Sequence, residues 1–314
     1  LLGLSGPTSP PQFDTPHPTR DAAAVIGTGS WPIPPVFAWL ASAGGIWGSS
    51  FLFMDVALEV EHPGLVTFLR PMLGLVALLP FSAARRPVDR ADRGRILLLG
   101  ITWMAFPLTM FPLAQQWIDS SLAGMMNGAM PVMTIVVGAA IFGLRTGPIQ
   151  IAGVMAGLVG ILLIGLPTAT TGGTRAVGVL LVVLAITSYG IAANLAGPLQ
   201  RRYGSLPVLV RVLAVATVAT MPFGLVGLAA SSWSWPAVAA NVAVGFGGTG
   251  LAYLAAATLI GRVGPVRMSV VTYLVPVVAA VLGVAVLGET LSVWLVAGGG
   301  VLLGGAWLTT RTSA

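Results

Sequence analysis

Residues 270–290 read VVTYLVPVVAAVLGVAVLGET, an almost unbroken run of hydrocarbon side chains with Pro276 at its middle and its only charge, Glu289, at its end. A run of this kind matches the ~20 residues a helix needs to cross about 30 Å of hydrocarbon, a setting in which proline is tolerated. The rest of the chain is alike: of 314 residues 56% are hydrophobic and 8% charged, and the mean hydropathy is +0.94. Soluble domains are about 25% charged. The composition is that of an all-α integral membrane protein, whose first partner is the lipid bilayer. The 41 glycines and 23 prolines mostly lie inside apolar runs, where they act as packing and kink residues.

Absences narrow the chemistry. Without cysteine there is no disulfide framework, thiolate nucleophile or cysteine zinc cluster. Without lysine there is no Walker A lysine, Schiff base or Ser-Lys dyad. His17 and His62 stand far apart and outside any HExxH pattern. No cofactor, metal ion or enzymatic activity is expected. The net charge of +6 comes from arginines spread among loops, a topology signal and not a nucleic-acid surface.

Residues 1–33 are rich in Pro, Ser, Thr and Gly and read as a flexible tail, without the ordered regions of a signal peptide, so the first span is expected to be an uncleaved anchor. Ten apolar segments come after it, at about 35–55, 63–81, 95–114, 120–143, 148–166, 176–199, 207–230, 236–260, 265–287 and 291–309. With a cytoplasmic N-terminus, Arg20, Arg85, Arg86, Arg90, Arg93, Arg95, Arg145, Arg201, Arg202, Arg211, Arg262, Arg267 and Arg311 fall at or near cytoplasmic ends, leaving Arg175 outside and Arg70 within a span. That bias predicts a multi-pass protein of the plasma or inner membrane with both termini cytoplasmic. The acidic loop DVALEVEH (55–62) and Glu289 then face out.

A shift of 145 positions lays Gly100 on Gly245, Pro131 on Pro276, Gly138 on Gly283, Gly143 on Gly288, Gly153 on Gly298 and Gly160 on Gly305 without a gap. The chain reads as two five-helix halves, residues 34–166 and 176–310, joined by an external linker at 167–175. Five is odd, so the second half enters the membrane from the opposite side as an inverted repeat, the plan of transporters with a midplane site.

The stretches WGSSFLFMDVALEVEHPGLVTFLRPMLGLVALLP (47–80) and LAYLAAATLIGRVGPVRMSVVTYLVPVVAAVLGVAVLGETLS (251–292) resemble the openings and closings of EamA repeats in the drug/metabolite transporter superfamily. The resemblance covers about residues 35–309. It implies a ten-helix exporter or exchanger of small metabolites, amino acids or drugs, with a central cavity built from spans one, three, four, six, eight and nine. The first half departs from the pattern at Leu144, where the counterpart of Glu289 would stand.

Arg70 is the strongest candidate for a solute contact: seven residues after Pro63, it lies roughly 10 Å into the membrane at 1.5 Å per residue. The alternative is a structural arginine that snorkels outward or pairs with Asp55, Glu59 or Glu61. No acid lies deep in a span, so a pump driven by a midplane carboxylate is disfavoured, while coupling through end-of-helix acids, exchange and downhill export stay open. The remaining cavity candidates are Trp47, Ser50, Trp103, Asn127, Tyr189, Asn194, Tyr253, Thr272 and Tyr273, each with interhelical packing as its alternative role. Pro131 and Pro276 are expected to kink spans four and nine at matched places. Gly153, Gly157 and Gly160 of span five and Gly300 and Gly304 of span ten mark contact faces, either within the chain or in a homodimer. The string GFGGTG (245–250) fits a dinucleotide fingerprint to the letter but lies inside an apolar span with no acid ~20 residues on, and is rejected as one. ARRPVDRADRGR (84–95) reads as topogenic charge before a lipid-headgroup grip, and Glu289 as an anchor for the start of span ten. The expected function is secondary export of small organic metabolites, amino acids or related compounds, by alternating access. Lipid-related translocation or multidrug efflux by the same fold is the alternative.

Overall fold

The computed structural model describes residues 33–170, 173–255 and 265–311, and their side chains except at 33–41, 169, 173, 174, 265–270 and 272. The expected tail, up to residue 32, lies outside the described residues. All regular structure among the described residues is helical. In chain order the helices are α1 (Ile33–Leu58), α2 (Pro63–Leu78), α3 (Arg93–Leu99), α4 (Phe106–Ala114), α5 (Ser120–Asn127), α6 (Met130–Phe142), α7 (Pro148–Thr170), α8 (Gly173–Tyr203), α9 (Ser205–Ala229), α10 (Trp235–Val242), α11 (Pro265–Leu287) and α12 (Val293–Thr309). A π-helical stretch, Gly100–Ala105, joins α3 to α4, and a second, Ala243–Leu251, continues α10.

Five helical rods are long and apolar enough to cross a membrane: Arg90–Ala114, Pro148–Thr168, Arg175–Tyr203, Ser205–Ala229 and Trp235–Ala255. The bent pair α5 and α6, at 46° to each other, makes a sixth if it is one span, and Pro63–Leu78, Tyr273–Leu287 and Val293–Thr309 are shorter apolar helices. The helices overrun the expected linker at 167–175, since α7 continues to Thr170 and α8 begins at Gly173.

Glycine decides how these rods meet. One face of α7 exposes Ile151, Met155, Leu162 and Leu166. The other brings Gly153 and Gly160 so close to α12 that a Cβ would lie 2.7 Å from the Gly305 carbonyl oxygen and 2.6 Å from the Leu302 nitrogen. Both glycines, with Gly298 and Gly305, are therefore occupied by packing inside the chain, the first of the two roles expected for that face. Gly300 and Gly304 look away from it, with open space where a side chain would be.

The other large interfaces come in exchanged pairs: α1 lies on α11 and α6 on α8, while the first π stretch packs on α9 and the second on α2. Gly100 and Gly245, the pair related by the 145-residue shift, stand in the two π stretches, where a Cβ would meet Val215 at 2.6 Å and Leu73 at 2.7 Å. The ends of α6 and α11 also match. Gly143 (φ 63°) and Gly288 (φ 68°) take the left-handed conformation glycine adopts without strain, and Leu144 and Glu289 each donate a backbone N–H 3.0 Å back to Gly138 and Gly283.

The two prolines take different positions in their helices. Pro131 lies in the first turn of α6, where its missing N–H leaves no bond unmade, directly after the break at Gly128 and Ala129. Pro276 lies within the continuous helix α11. Its ring instead fills the notch beside the break, where a Cβ on Gly128 would fall 2.7 Å from it.

Candidate functional site

Helices α1, α2, α4, α5, α6, α8, α9, α11 and α12, the first π stretch, and Tyr253 just past the second enclose a cavity of about 610 Å3. Of the residues expected from sequence, Trp47, Ser50, Arg70, Trp103, Asn127, Tyr189 and Tyr253 line it, as does Pro131. Asn194 and Tyr273 do not. The Asn194 amide donates to the carbonyls of Thr134, at 3.0 Å, and Gly190, at 2.8 Å, joining α8 to α6. The Tyr273 hydroxyl reaches the Ala306 carbonyl of α12 at 3.3 Å. The Thr272 side chain lies outside the described residues.

The second π stretch organises the site. A π turn leaves a carbonyl without its usual i+4 partner, and side chains take up the vacancy. Trp47 Nε1 donates to the Gly248 carbonyl at 3.0 Å, and Thr249 Oγ1 to the Val244 carbonyl at 3.0 Å. The Thr249 hydroxyl in turn accepts from Arg70 Nε at 3.1 Å. Gly74, one turn beyond Arg70 on α2, has no Cβ, which would press on Thr249 at 3.0 Å, so the helices approach closely enough for that bond. The string GFGGTG is thus the backing of the cavity wall. Sequence reasoning misses Thr249 and Gly248, although Thr249 is a polar residue within the eighth apolar segment.

Arg70 is 8% exposed. Besides Thr249 its only hydrogen-bond partner among the described residues is the Met54 thioether, 3.2 Å from Nη1. Among the described residues no ion pair to Asp55, Glu59 or Glu61 forms, which answers the snorkelling alternative: the guanidinium stays in the bundle. Aromatic rings share the cavity wall with it. Tyr253 lies 5.1 Å from Trp47 and 5.6 Å from Trp103, centroid to centroid, and a second group runs Phe51, Phe111, Tyr189 at 5.4 and 6.1 Å. Phe51 and Phe111 look like ordinary core residues in the sequence, which gives no sign of their place on the wall. Asn127 ends α5 at the helix break, and its Oδ1 is buried without a hydrogen-bond partner. No Asp, Glu or His is among the described lining residues.

The cavity reaches one end of the bundle through Gln200, Ser205 and Thr310, beside the arginine-rich termini of α8, α9 and α12. There Asp92 receives Arg202 Nη1 at 2.8 Å, the Tyr203 hydroxyl at 2.6 Å and Arg95 Nη1 at 3.2 Å. The Tyr203 hydroxyl foremost, with Arg202 and Arg95, holds the Asp92 carboxyl below the usual carboxylate range despite its burial. Arg211 donates to the carbonyls of Ala84 and Arg86. The segment 84–95, read from sequence as topogenic charge, is therefore also a clasp between α3 and the α8–α9 corner.

The opposite end of the bundle is acidic. Glu289 does not cap α12, whose start is capped by Ser292. Its carboxylate crosses to α5 and accepts the backbone N–H groups of Ser120 at 2.8 Å and Ser121 at 2.9 Å. Gly283 leaves the room for this, because a Cβ there would collide with Glu289 Oε2. Asp119 occupies the N-cap position of α5 without bonding to it, and its pKa is raised by burial and then by the charge of Glu289, with Arg175 offsetting part. Nearby, Glu61 accepts from Asn241 Nδ2 at 2.7 Å, and burial raises its pKa in spite of that bond.

Residues 35–166 and 176–311 match the model of the EamA-like transporter family. Similar proteins include the uncharacterized inner membrane transporter YedA of Escherichia coli K12, 25% identical over 84% of this chain and 87% of its own length. The uncharacterized transporter YdfC of Bacillus subtilis has the same identity and coverage, and an uncharacterized transporter of Archaeoglobus fulgidus is 25% identical over 94% of its length. A solved crystal structure, 20% identical, superposes on 88% of this chain and 97% of its own with a TM-score of 0.60, which speaks for the fold alone.

Proposed function

We propose, from the premise that this chain belongs to the EamA-like transporter family of the drug/metabolite transporter superfamily, that it is a secondary transporter exporting small organic metabolites across the plasma or inner membrane by alternating access. In this reading ten spans form two inverted five-helix halves. The acidic end is external, and the arginine-rich end, with both termini, is cytoplasmic. The supporting observation is the cavity: elements of both halves line it and it reaches the arginine-rich end, while at the acidic end Glu289 ties the turn after α11 to the start of α5. In this reading the cavity opens to the cytoplasm and the Glu289 bonds close the external side. The exchanged interfaces, α1 with α11 against α6 with α8, support the two-fold relation that would interconvert two such states.

Counterflow in proteoliposomes against amino acids, nucleosides and organic anions tests this, with Asn127→Ala as the site variant. Saturable flux of at least one solute, weakened in the variant, is expected. A folded protein that moves none of them sinks the transporter reading.

A further inference from the structure

We propose that the cavity selects organic monocarboxylates, the carboxylate docking on Arg70 and an apolar or aromatic body lying against Trp47, Trp103 and Tyr253; this rests on the transporter reading above and deepens it. A guanidinium carries five N–H donors and does not shed its proton, so it cannot escape burial by becoming neutral. Arg70 is buried with one oxygen partner, Thr249, and one thioether, a weak acceptor. The titratable groups near enough to act on it are Tyr189 and Tyr253, which carry no charge at neutral pH. A buried charge is ordinarily paired. Here the protein supplies no counter-ion among the described residues, and the cation lines a cavity, so the missing anion is the ligand's.

The remaining lining fixes the class. With no acid among the described wall residues, an amine or polyamine finds no counter-charge. A single cation balances a monoanion and leaves a phosphate dianion half-paired. The planar fork of arginine matches a carboxylate. Trp47 and Trp103, packed on Tyr253 at 5.1 and 5.6 Å, present a continuous aromatic surface on the cavity wall for the body to lie against.

The test is thermal unfolding of the full chain in nanodiscs with benzoate, phenylacetate or indole-3-acetate, against the matching alcohols and benzylamine. The acids are expected to stabilise the wild type and the alcohols and amine not to. In Arg70→Met the acids are expected to bind about 30-fold or more weaker, while Arg70→Lys retains part of the effect. Ligand-free Arg70→Met is expected to melt no lower than wild type, which separates lost binding from lost folding; Arg70→Gln gives the same comparison if the methionine variant fails to accumulate. Acids that stabilise the neutral variants as well as wild type, a preference for benzylamine or the alcohols, or no shift with any acid would each overturn the proposal. Counterflow of the same compounds keeps the two readings apart. Flux confined to solutes without an acid group removes this inference and leaves the transporter, whereas Arg70-dependent binding without flux does the reverse.

Discussion

Removing the Glu289 carboxylate is expected to unlatch the acidic end of the bundle. Both of its oxygens accept backbone N–H groups at the start of α5, at 2.8 and 2.9 Å, and Asp119 at the N-cap makes no bond that could replace them. Hydrogen bonds to a charged acceptor, helped by the helix dipole, make the pair worth about 2–3 kcal/mol. Lost only from the closed state, that shifts the closed-to-open ratio by about 30- to 150-fold. Glu289→Ala removes the latch outright, and Gly283→Ala does so indirectly, by placing a Cβ on Glu289 Oε2. Gly138→Ala, at the matching place, meets the flexible tip of Leu144 at 3.1 Å and the Asn194 amide at 3.2 Å, and is expected to act weakly. The chain contains no cysteine, so Ser50→Cys, on the cavity wall, introduces a unique thiol. Its labelling by an impermeant maleimide added at the acidic face is expected to quicken tens of times in Glu289→Ala and Gly283→Ala, and less in Glu289→Gln, which keeps one oxygen. Equal labelling rates in wild type and both alanine variants, each folded, would refute the latch.

Gly160→Ala, whose Cβ would lie 2.6 Å from the Leu302 nitrogen, is expected to lower stability by about 1–3 kcal/mol, while Gly304→Ala, facing open space, stays within about 0.5 kcal/mol, both read by thermal unfolding. Thr249→Val leaves Arg70 Nε without an oxygen and the Val244 carbonyl without its side-chain donor, and is expected to weaken carboxylate binding several-fold and to lower stability by about 1–3 kcal/mol, read by titration of the Tm shift from the variant's own ligand-free melt. Glu61 and Asp119 have raised pKa values, so the native state holds protons that the unfolded chain releases; stability therefore falls as pH rises through their folded values and returns on acidification, a slope that Glu61→Gln and Asp119→Asn are expected to flatten in melting curves. Asp92 acts oppositely, since its lowered pKa adds stability that is present above its unfolded value of 3.8 and is lost as pH falls through the folded one, a loss Asp92→Asn abolishes. With no acid among the described lining residues, export of a monoanion would move charge, so an inside-negative potential of about 100 mV is expected to drive benzoate outward to a gradient near 50-fold, at about 2.3 kcal/mol per charge; flux indifferent to a valinomycin-set potential counts against it.

Much of the cavity is legible in the sequence because polarity inside hydrocarbon is conspicuous. Trp47, Ser50, Arg70, Trp103, Asn127, Tyr189 and Tyr253 stand out in apolar runs, and all line the wall. The same criterion also collects residues that bind neighbouring helices. Asn194 and Tyr273 look no different in sequence, yet their bonds run to the backbones of α6, α8 and α12. Packing partners separated by tens of residues leave no local trace, which is why the aromatic pair Phe51 and Phe111 is silent. The π stretches are illegible for a related reason: they arise where Gly100 and Gly245 let another helix press in, a property of the partner as much as of the glycine. Glu289 reads as a helix-start anchor, and it is one, but for a helix some 170 residues earlier in the chain.

The two matched helix ends show how like turns can lead to unlike grips at the two ends of the bundle. After Gly143 and after Gly288 the chain turns the same way and makes the same 3.0 Å backbone bond. The residue just past the turn is Leu144 in one case and Glu289 in the other. Leucine in that position lies over Gly138 and offers no acceptor, whereas glutamate lies over Gly283 and reaches two backbone donors. At the arginine-rich end the grip comes from a different group, Asp92 with Arg202 and Tyr203, beside the place the cavity reaches. These two clasps differ in what can loosen them. The acidic latch binds fixed N–H groups and responds to the charge of one carboxylate. The clasp at Asp92 is built from side chains, with Arg202 56% exposed at its rim, and so responds to ionic strength and to whatever enters the cavity past Gln200. A difference of one residue at equivalent turns thus gives the two ends unequal grips, and unequal grips are what a carrier needs to rest facing one side.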